Sequence, residues 1–425
     1  MQPKHRAKCT SEVLAQTSFD NTASYPGSEY LLQKSLCIRA VFSSSHGTSS
    51  LAQAELKPRE VIRLHHDVLT ADCYMDCYAT CTEGAVPLRP LDSPAAWRAA
   101  DLRKNTDWLY QLSQEDITEL ETAIQHAHAT GKAIQHITQE EFPLPKLGPK
   151  LKAIAREVTS GRGFKLIKGV PVDRWPHADT VLAYWGLGLY WGRAVSNNKQ
   201  GHLIGHIKDI GHDPKNPNTR LYATSAAQPY HNDAEDIVAL LCLKNAKEGG
   251  LSSWTSSISV HNDIVRTRPD LAEVLAGPWY FDRKGEIPEG KKPFFEIPVF
   301  NYHKGYLSVN YSDNYYFLSQ RHDEVPRLTP AHLEAIKLFN ELAASDELRM
   351  SYMLQPGDIQ ILSNHTQLHH REGFTDWEEP EKKRHLLRLW LEPEDSRPLP
   401  HYYEDLKGGI KVNGAQLYVP LNAED

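Results

Sequence analysis

Two short stretches of this chain carry the residue types of a mononuclear metal site. One is His231-Asn232-Asp233. The other is Asn364-His365-Thr366-Gln367-Leu368-His369-His370-Arg371, with Arg384-His385-Leu386-Leu387-Arg388 after it. On an extended strand, residues i and i+2 point the same way, so the His231 imidazole and the Asp233 carboxylate can reach one ion. A third ligand from far along the chain would complete a facial triad with three open positions, two for a bidentate 2-oxo acid and one for O2. Nitrogen and oxygen donors without thiolate suit Fe(II) better than a structural zinc.

A lone His-x-Asp is weak, because a solvated turn gives the same pattern; the downstream segment supplies the weight. There His365, His369 and His370 compete for the third position. On a strand His369 and His370 face opposite sides, and spacing alone does not choose among the three. The two left over are expected to be ordinary surface or core hydrogen bonders.

Arg384 and Arg388 are four apart on an otherwise apolar stretch with strand character, so both project from one face. An arginine directed into an interior needs an anionic partner, since an unpaired buried charge is very costly. A guanidinium matches a carboxylate in bidentate fashion, which suits the far carboxylate of 2-oxoglutarate. The bland alternative is a salt bridge to Glu372 or Asp376.

The elements that must position these residues are legible in part. Ser113 to Asp116 reads as a capping-box variant before a helix through Ile117, Leu120 and Ile124. A second helix carries Leu151, Ile154 and Val158, and Gly161-Arg162-Gly163 ends it before a strand from Phe164 to Val170. A third helix runs around Thr180 to Tyr190. Past residue 220 strands dominate: Ile237 to Leu243, an aromatic-polar alternation over residues 294 to 318 with turns at His303-Lys304-Gly305 and Ser312-Asp313-Asn314, then Leu348 to Leu354, Ile359 to Ser363 and His385 to Leu391. Helices are expected over Asn262 to Leu275, broken near Pro269, and after Thr329-Pro330. Helices first and then short strands imply an α+β domain on a sandwich or barrel of antiparallel strands.

The chain has 425 residues, an apolar fraction of 40% and a net charge of −7 with both signs interspersed. That disfavours a nucleic-acid or anionic-membrane partner, and no apolar run reaches the roughly 18 residues of a membrane span. A homo-oligomer is allowed. No apolar stretch follows Lys4, Arg6 and Lys8, so a secretory signal is not expected. Cytoplasm is the default compartment, with the mitochondrion the weaker alternative. Residues 1 to 90, rich in Ser, Thr, Ala and Cys, read as a variable, partly disordered or loosely packed extension. Cys73, Cys77 and Cys81, at steps of four, are better read as a small-residue stripe or unstructured surface than as a zinc site.

The string from Pro356-Gly357-Asp358 to Gly373-Phe374, with Arg384 to Leu391 after it, resembles the TauD/TfdA-like Fe(II)/2-oxoglutarate-dependent dioxygenases. His231-Asn232-Asp233 followed by Gly249-Gly250-Leu251-Ser252 resembles the same family's first ligand pair and its Gly-Gly-x-Ser/Thr element. The likeness runs from about Trp97 to Pro400, within a domain over residues 91 to 410, and leaves 411 to 425 as a C-terminal tail. In that family the third ligand lies five residues after the motif asparagine, which here is Asn364; the resemblance therefore implies His369. It also implies a double-stranded β-helix (jelly-roll) core with flanking helices, Arg384 and Ser252 as the 2-oxoglutarate contacts, and Fe(II), 2-oxoglutarate and O2 as the reactants. Asn232 where threonine is usual, His365 where arginine is frequent, and His370 in place of a small residue depart from the pattern.

The expected activity is oxidation, by default hydroxylation, of an unactivated C–H bond in a small molecule, coupled to decarboxylation of 2-oxoglutarate to succinate. A catalytically silent jelly-roll binding protein and a zinc-type hydrolase on the same triad are the alternatives. Arg388 points to an anionic group on the substrate, whereas the aromatic stretch from Tyr302 to Phe317 points to a larger, less polar pocket. Asn197 and Asn198 sit where a loop could reach substrate or simply turn.

Overall fold

Local sequence decides where most elements begin. In a computed structural model, which describes residues 89–411, 414 and 416–423, the chain opens with α1 (Ala99–Lys104), β1 (Leu109–Gln111), α2 (Gln114–Ala129), α3 (Leu147–Ser160), β2 (Phe164–Lys168) and α4 (His177–Gly188). The Ser113 hydroxyl accepts from Asp116 N–H at 3.2 Å while the Asp116 carboxylate accepts from Ser113 N–H at 3.0 Å. This reciprocal cap starts α2 where the sequence places it. Strands β3 (Arg193–Ala194), β4 (Ile204–Ile207), β5 (Gln228–His231), β6 (Ile237–Lys244), β7 (Glu248–Gly249) and β8 (Ser252–Ser256) follow.

Next come α5 (Ser257–Thr267) and α6 (Pro269–Ala276), then β9 (Tyr280–Asp282), β10 (Phe294–Glu296), β11 (Phe300–His303) and β12 (Tyr306–Val309), and the helices α7 (Asp313–Ser319) and α8 (Pro330–Ala343). Pro269 does separate α5 from α6, but α5 starts at Ser257, five residues before the expected Asn262, because the Ser256 hydroxyl caps Ser259 N–H. Ser312 is likewise the residue before a helix, so the expected turn there is the start of α7. The chain closes with β13 (Arg349–Tyr352), β14 (Ile359–Ser363), β15 (Gln367–Arg371), β16 (Phe374–Thr375) and β17 (His385–Glu392).

Two sheets face each other. The larger has the order β1-β2-β14-β6-β17-β3, with β4 also paired to β17; the smaller is β13-β8-β15-β5 and antiparallel throughout. Strand alternation divides the large sheet cleanly. Ile237, Ala239, Leu241, Leu387, Leu389 and Leu391 pack against α2 to α4, whereas Val238, Cys242, Leu386 and Trp390 meet Trp254 and Met350 of the small sheet. Both faces are buried, which is why β6 reads as an unbroken apolar run. Helices α5, α6 and α8 cover the far side of the small sheet through Ile258, Leu271 and Phe339.

The described residues belong to one unit, Thr82–Asp425. The extension expected over residues 1 to 90, with Cys73, Cys77 and Cys81, lies outside them except for its last two residues. Residues 416–421 pack back on the domain: Leu203 N–H donates to Tyr418 O at 2.8 Å, and Val419 joins the core beside α4. No helix among the described residues is long and apolar enough to cross a membrane.

Candidate active site

Strand β5 ends at His231, and the chain then crosses from the small sheet to the large one through residues 232–236. Asp233 thus lies on the crossing and not on a strand, so alternation is not what pairs it with His231. The crossing is pinned by two asparagines. Asn232 accepts from Tyr311 N–H at 2.9 Å and donates its amide to Gln367 O at 2.5 Å. The Asn364 side chain accepts from Asp233 N–H at 3.0 Å and donates to Glu235 O at 2.8 Å.

Strand β15 runs antiparallel to β5 with His369 directly opposite His231. The two rings are 4.1 Å apart. Each Nε2 lies 3.7 Å from an Asp233 carboxylate oxygen, and one donor atom from each of the three residues falls within 4.8 Å of the others. The competing histidines point elsewhere. His365 Nε2 bonds Asp236 Oδ1 at 2.6 Å, and His370 stacks on Tyr230 across the strand.

The electrostatics prepare three donors. Burial lowers the pKa of His231 and, with the neighbouring His231 ring adding to it, takes His369 down to about 3, so both imidazoles are neutral at physiological pH. Burial alone would raise Asp233, but the Arg388 guanidinium and the two imidazoles outweigh it and hold the carboxyl at about 2. His231 Nδ1 donates to Pro229 O at 2.8 Å, which leaves Nε2 with the lone pair. Trp390 Nε1 donates to Asp233 Oδ2 at 2.8 Å and fixes the carboxylate plane. Two neutral nitrogens and one ionised oxygen, largely desolvated, fit a ferrous ion.

Two buried arginines meet over one ring, that of Phe374. Arg384, 5% exposed, lies just before β17 and against Gly250, whose backbone has φ +76 and where a Cβ would stand 3.1 Å from Arg384 Nε. Its Nη1 is buried without a protein partner. Asp376 takes the Arg384 backbone N–H at 2.7 Å rather than the guanidinium, so the salt-bridge alternative is not what the fold builds. Arg371 is the other. It is 6% exposed, and its Nε and Nη1 are buried without partners. Both guanidinium groups lie over Phe374, at 4.8 Å for Arg371 and 5.1 Å for Arg384. Ser252 sits opposite Arg371 across the β8–β15 ladder. Burial and the charge of Arg384 both push the Arg371 pKa down; a guanidinium keeps its proton regardless, so the pair calls for an anion. The sequence reading passed over Arg371, although its place two residues past His369 on one strand was the available signal.

Arg388 is committed differently. Its Nε donates to Asn197 Oδ1 at 2.8 Å, its Nη1 lies 3.7 Å from Asp233 Oδ2, and the guanidinium is held by the rings of Tyr222 and Trp390. Asn197 also donates to Leu203 O at 3.2 Å, and Asn198 Oδ1 accepts from Gln200 N–H and His202 N–H. Neither asparagine reaches the cavity beside the triad: Asn197 positions Arg388 and Asn198 shapes a turn. That cavity has a volume of about 260 Å³, and its wall includes His231, Asp233, Arg220, Lys284, Tyr315 and Arg388.

Facing sheets that bring two imidazoles and a carboxylate together, and that carry two buried arginines, one two residues past His369 and one just before β17, have the architecture of a mononuclear non-heme iron oxygenase. Residues 126–390 match the family described as "Taurine catabolism dioxygenase TauD, TfdA family", and the chain belongs to it. It is an Fe(II)/2-oxoglutarate-dependent dioxygenase. It is 29% identical over 333 residues to FR-33289 synthase of Streptomyces rubellomurinus, covering 76% of this chain and 96% of that one. It is 30% identical over 309 residues to the taurine hydroxylase-like protein SAT17 of Stachybotrys chartarum, covering 70% and 79%. Among solved structures, an asparagine oxygenase with Fe(II), 3-hydroxyasparagine and succinate superposes with a TM-score of 0.52 at 15% identity, over 67% of this chain and 93% of that one. The non-heme iron oxygenase OrfP, with Fe, succinate and hydroxyarginine, gives 0.51 at 15% identity over 67% and 94%.

Proposed function

We propose that His231, Asp233 and His369 ligate the ferrous ion and that Arg384, Ser252 and Arg371 hold the far carboxylate of 2-oxoglutarate. The two facing sheets are, in this reading, the halves of a double-stranded β-helix, and the 260 Å³ cavity takes a small organic substrate. The observation that carries the reading is the meeting of the three donors within 4.8 Å in a fold that also carries two buried arginines with open N–H groups.

Bound iron supplies the chemistry: O2 oxidises 2-oxoglutarate to succinate and CO2 with one oxygen atom, and the other is inserted into a substrate C–H bond. The chain's own residues bind, orient and exclude water. The low pKa of each imidazole leaves no proton to displace, the Gln228 amide that donates to His231 Nε2 at 2.8 Å would yield its place to the ion, and Asp233 arrives ionised. Trp390 and Arg388 hold Asp233 through Oδ2, while Oδ1 lies 3.7 Å from His231 Nε2. Arg371 and Arg384 approach from different sheets, which suits a bidentate clamp on a carboxylate. A zinc hydrolase on the same triad would leave that clamp without an anion.

Asp233→Ala is expected to reduce substrate-dependent succinate release from the purified, iron-supplied protein to background. Turnover at the parental rate in that variant would refute the ligand assignment.

A further inference from the structure

The cavity wall that includes His231 and Asp233 also holds a lysine in an expensive position. Lys284 lies at the turn between β9 and β10, is 5% exposed, and has a backbone φ of +49. A left-handed backbone is strained for a lysine, and burying an ammonium without a directly paired carboxylate is costlier still. Its Nζ has one protein acceptor, Thr219 O at 3.3 Å, and stands 4.7 Å from the centre of the Tyr315 ring.

The nearby carboxylates are spoken for. Glu286 is bound by Arg220 through Nε at 3.0 Å and through Nη2. Asp282 is bound by Arg321 at 2.8 Å and by His322 at 2.8 Å. The Asp282 carboxylate also takes the Lys284 backbone N–H at 2.6 Å and so sets the turn that aims the side chain inward. No salt bridge reaches Lys284 Nζ among the described residues, and Arg220 Nη1 has no protein hydrogen bond there. Burial and then the charge of Arg220 press the ammonium pKa down to about 8, against the opposing pull of the Asp282 and Glu286 carboxylates.

Arg388, the other cation on this wall, is already engaged with Asp233, Asn197 and two rings, and its remaining Nη2 is buried. Tyr315 feels the charges of Arg220 and Glu286 as well as those of Asp233 and Arg388, so the lysine end and the metal end belong to one small space.

We infer that Lys284, with Arg220 beside it, forms an oxyanion subsite that holds a negatively charged group of the substrate in the cavity that His231 and Asp233 also line, while Arg388 serves to position Asp233. The substrate is then a small molecule with a phosphonate, phosphate, sulfonate or carboxylate at one end and the reacting C–H at the other. The inference rests on the proposed reading only in taking this cavity as the substrate's.

The test uses the full chain with Fe(II), without O2, and with saturating 2-oxoglutarate so that the Arg371–Arg384 pocket is filled. Ethylphosphonate, ethanesulfonate, propionate and neutral propionamide are titrated by calorimetry, with the weak visible band of the ferrous 2-oxoglutarate chelate followed alongside. At least one anion should bind and propionamide should not; the tightest of the three identifies the oxyanion. Lys284→Met should weaken that anion about tenfold or more while the chelate band persists, and Lys284→Arg should stay within about threefold of the parent, because it keeps the charge. Equal affinity in Lys284→Met, or no anion bound by the parent with its chelate band intact, overturns the subsite. Loss of the chelate band in the parent would instead overturn the metal reading.

Discussion

Asn364 shows how a residue that touches no reactant can govern the site. It closes two hydrogen bonds to the crossing that carries Asp233, at 3.0 and 2.8 Å, and so fixes where the carboxylate stands relative to two histidines on other segments. Partners that orient metal ligands are commonly worth 10- to 100-fold in affinity. Asn364→Ala should therefore weaken Fe(II) binding by about that range in a ferrous titration, with all three proposed ligands still present. Arg371 makes the second argument at this scale. It is tied to Thr224 O at 3.2 Å and keeps Nε and Nη1 for the pocket. Arg371→Lys should raise the 2-oxoglutarate Kd about tenfold, since a point charge cannot replace a fork. An unchanged Kd would make Arg371 a brace for the loop and nothing more.

Among the elements, the helices on the outer side of the small sheet carry a titration of their own. His261 in α5 is fully buried, packs edge-on against Phe300 at 4.8 Å, and is held by burial at about 4 against an ordinary 6.5. The folded form binds its proton less readily than the unfolded one, so its contribution to stability is complete above pH 6.5 and falls away as the pH drops toward 4, by about 3 kcal/mol in all. Urea melts of the parent should lose stability over that window, and His261→Leu should flatten the slope. The elements also show which signals were local. The caps at Ser113 and Thr329, the break at Pro269 and the two-faced apolar strand at Ile237 all act within a few residues, and each lies where its sequence puts it. Sequence pattern misses helix α7 because Tyr311 and Tyr315 continue the aromatic-polar alternation of residues 294 to 318; the packing of Tyr316 against Trp279 at 4.8 Å goes with a helix.

At the scale of the whole molecule, the proposed cosubstrate pocket would join the two sheets: Ser252 and Arg371 come from the small one, and Arg384 precedes β17, an inner strand of the large one. A ligand that bridges them should resist global unfolding. At a hundredfold excess over its Kd it adds about 2.7 kcal/mol, which for a body of this size raises Tm by about 4 °C. Thermal scans of the iron-supplied protein should show that rise with 2-oxoglutarate and lose it in Arg384→Ala.

The sequence by itself settled the chemistry on offer, because residue type fixes donor atoms and charge: two imidazoles, a carboxylate and arginines fit for a carboxylate. It also made the antiparallel character of the downstream half legible, and a motif resemblance singled out His369 as the proposed third ligand. Three matters were left to the tertiary structure. His231 and Asp233 converge because a crossing between sheets is pinned by Asn232 and Asn364, not because strand alternation aligns them. Arg388 turns to Asp233 because Asn197, Tyr222 and Trp390 hold it there. Arg371 and Arg384 meet over Phe374, with Ser252 across the ladder from Arg371, because the β8–β15 register and the tight turn at Gly250 bring those segments together. Contacts of that kind depend on register and on segments more than a hundred residues apart, and a linear pattern carries no distance between them.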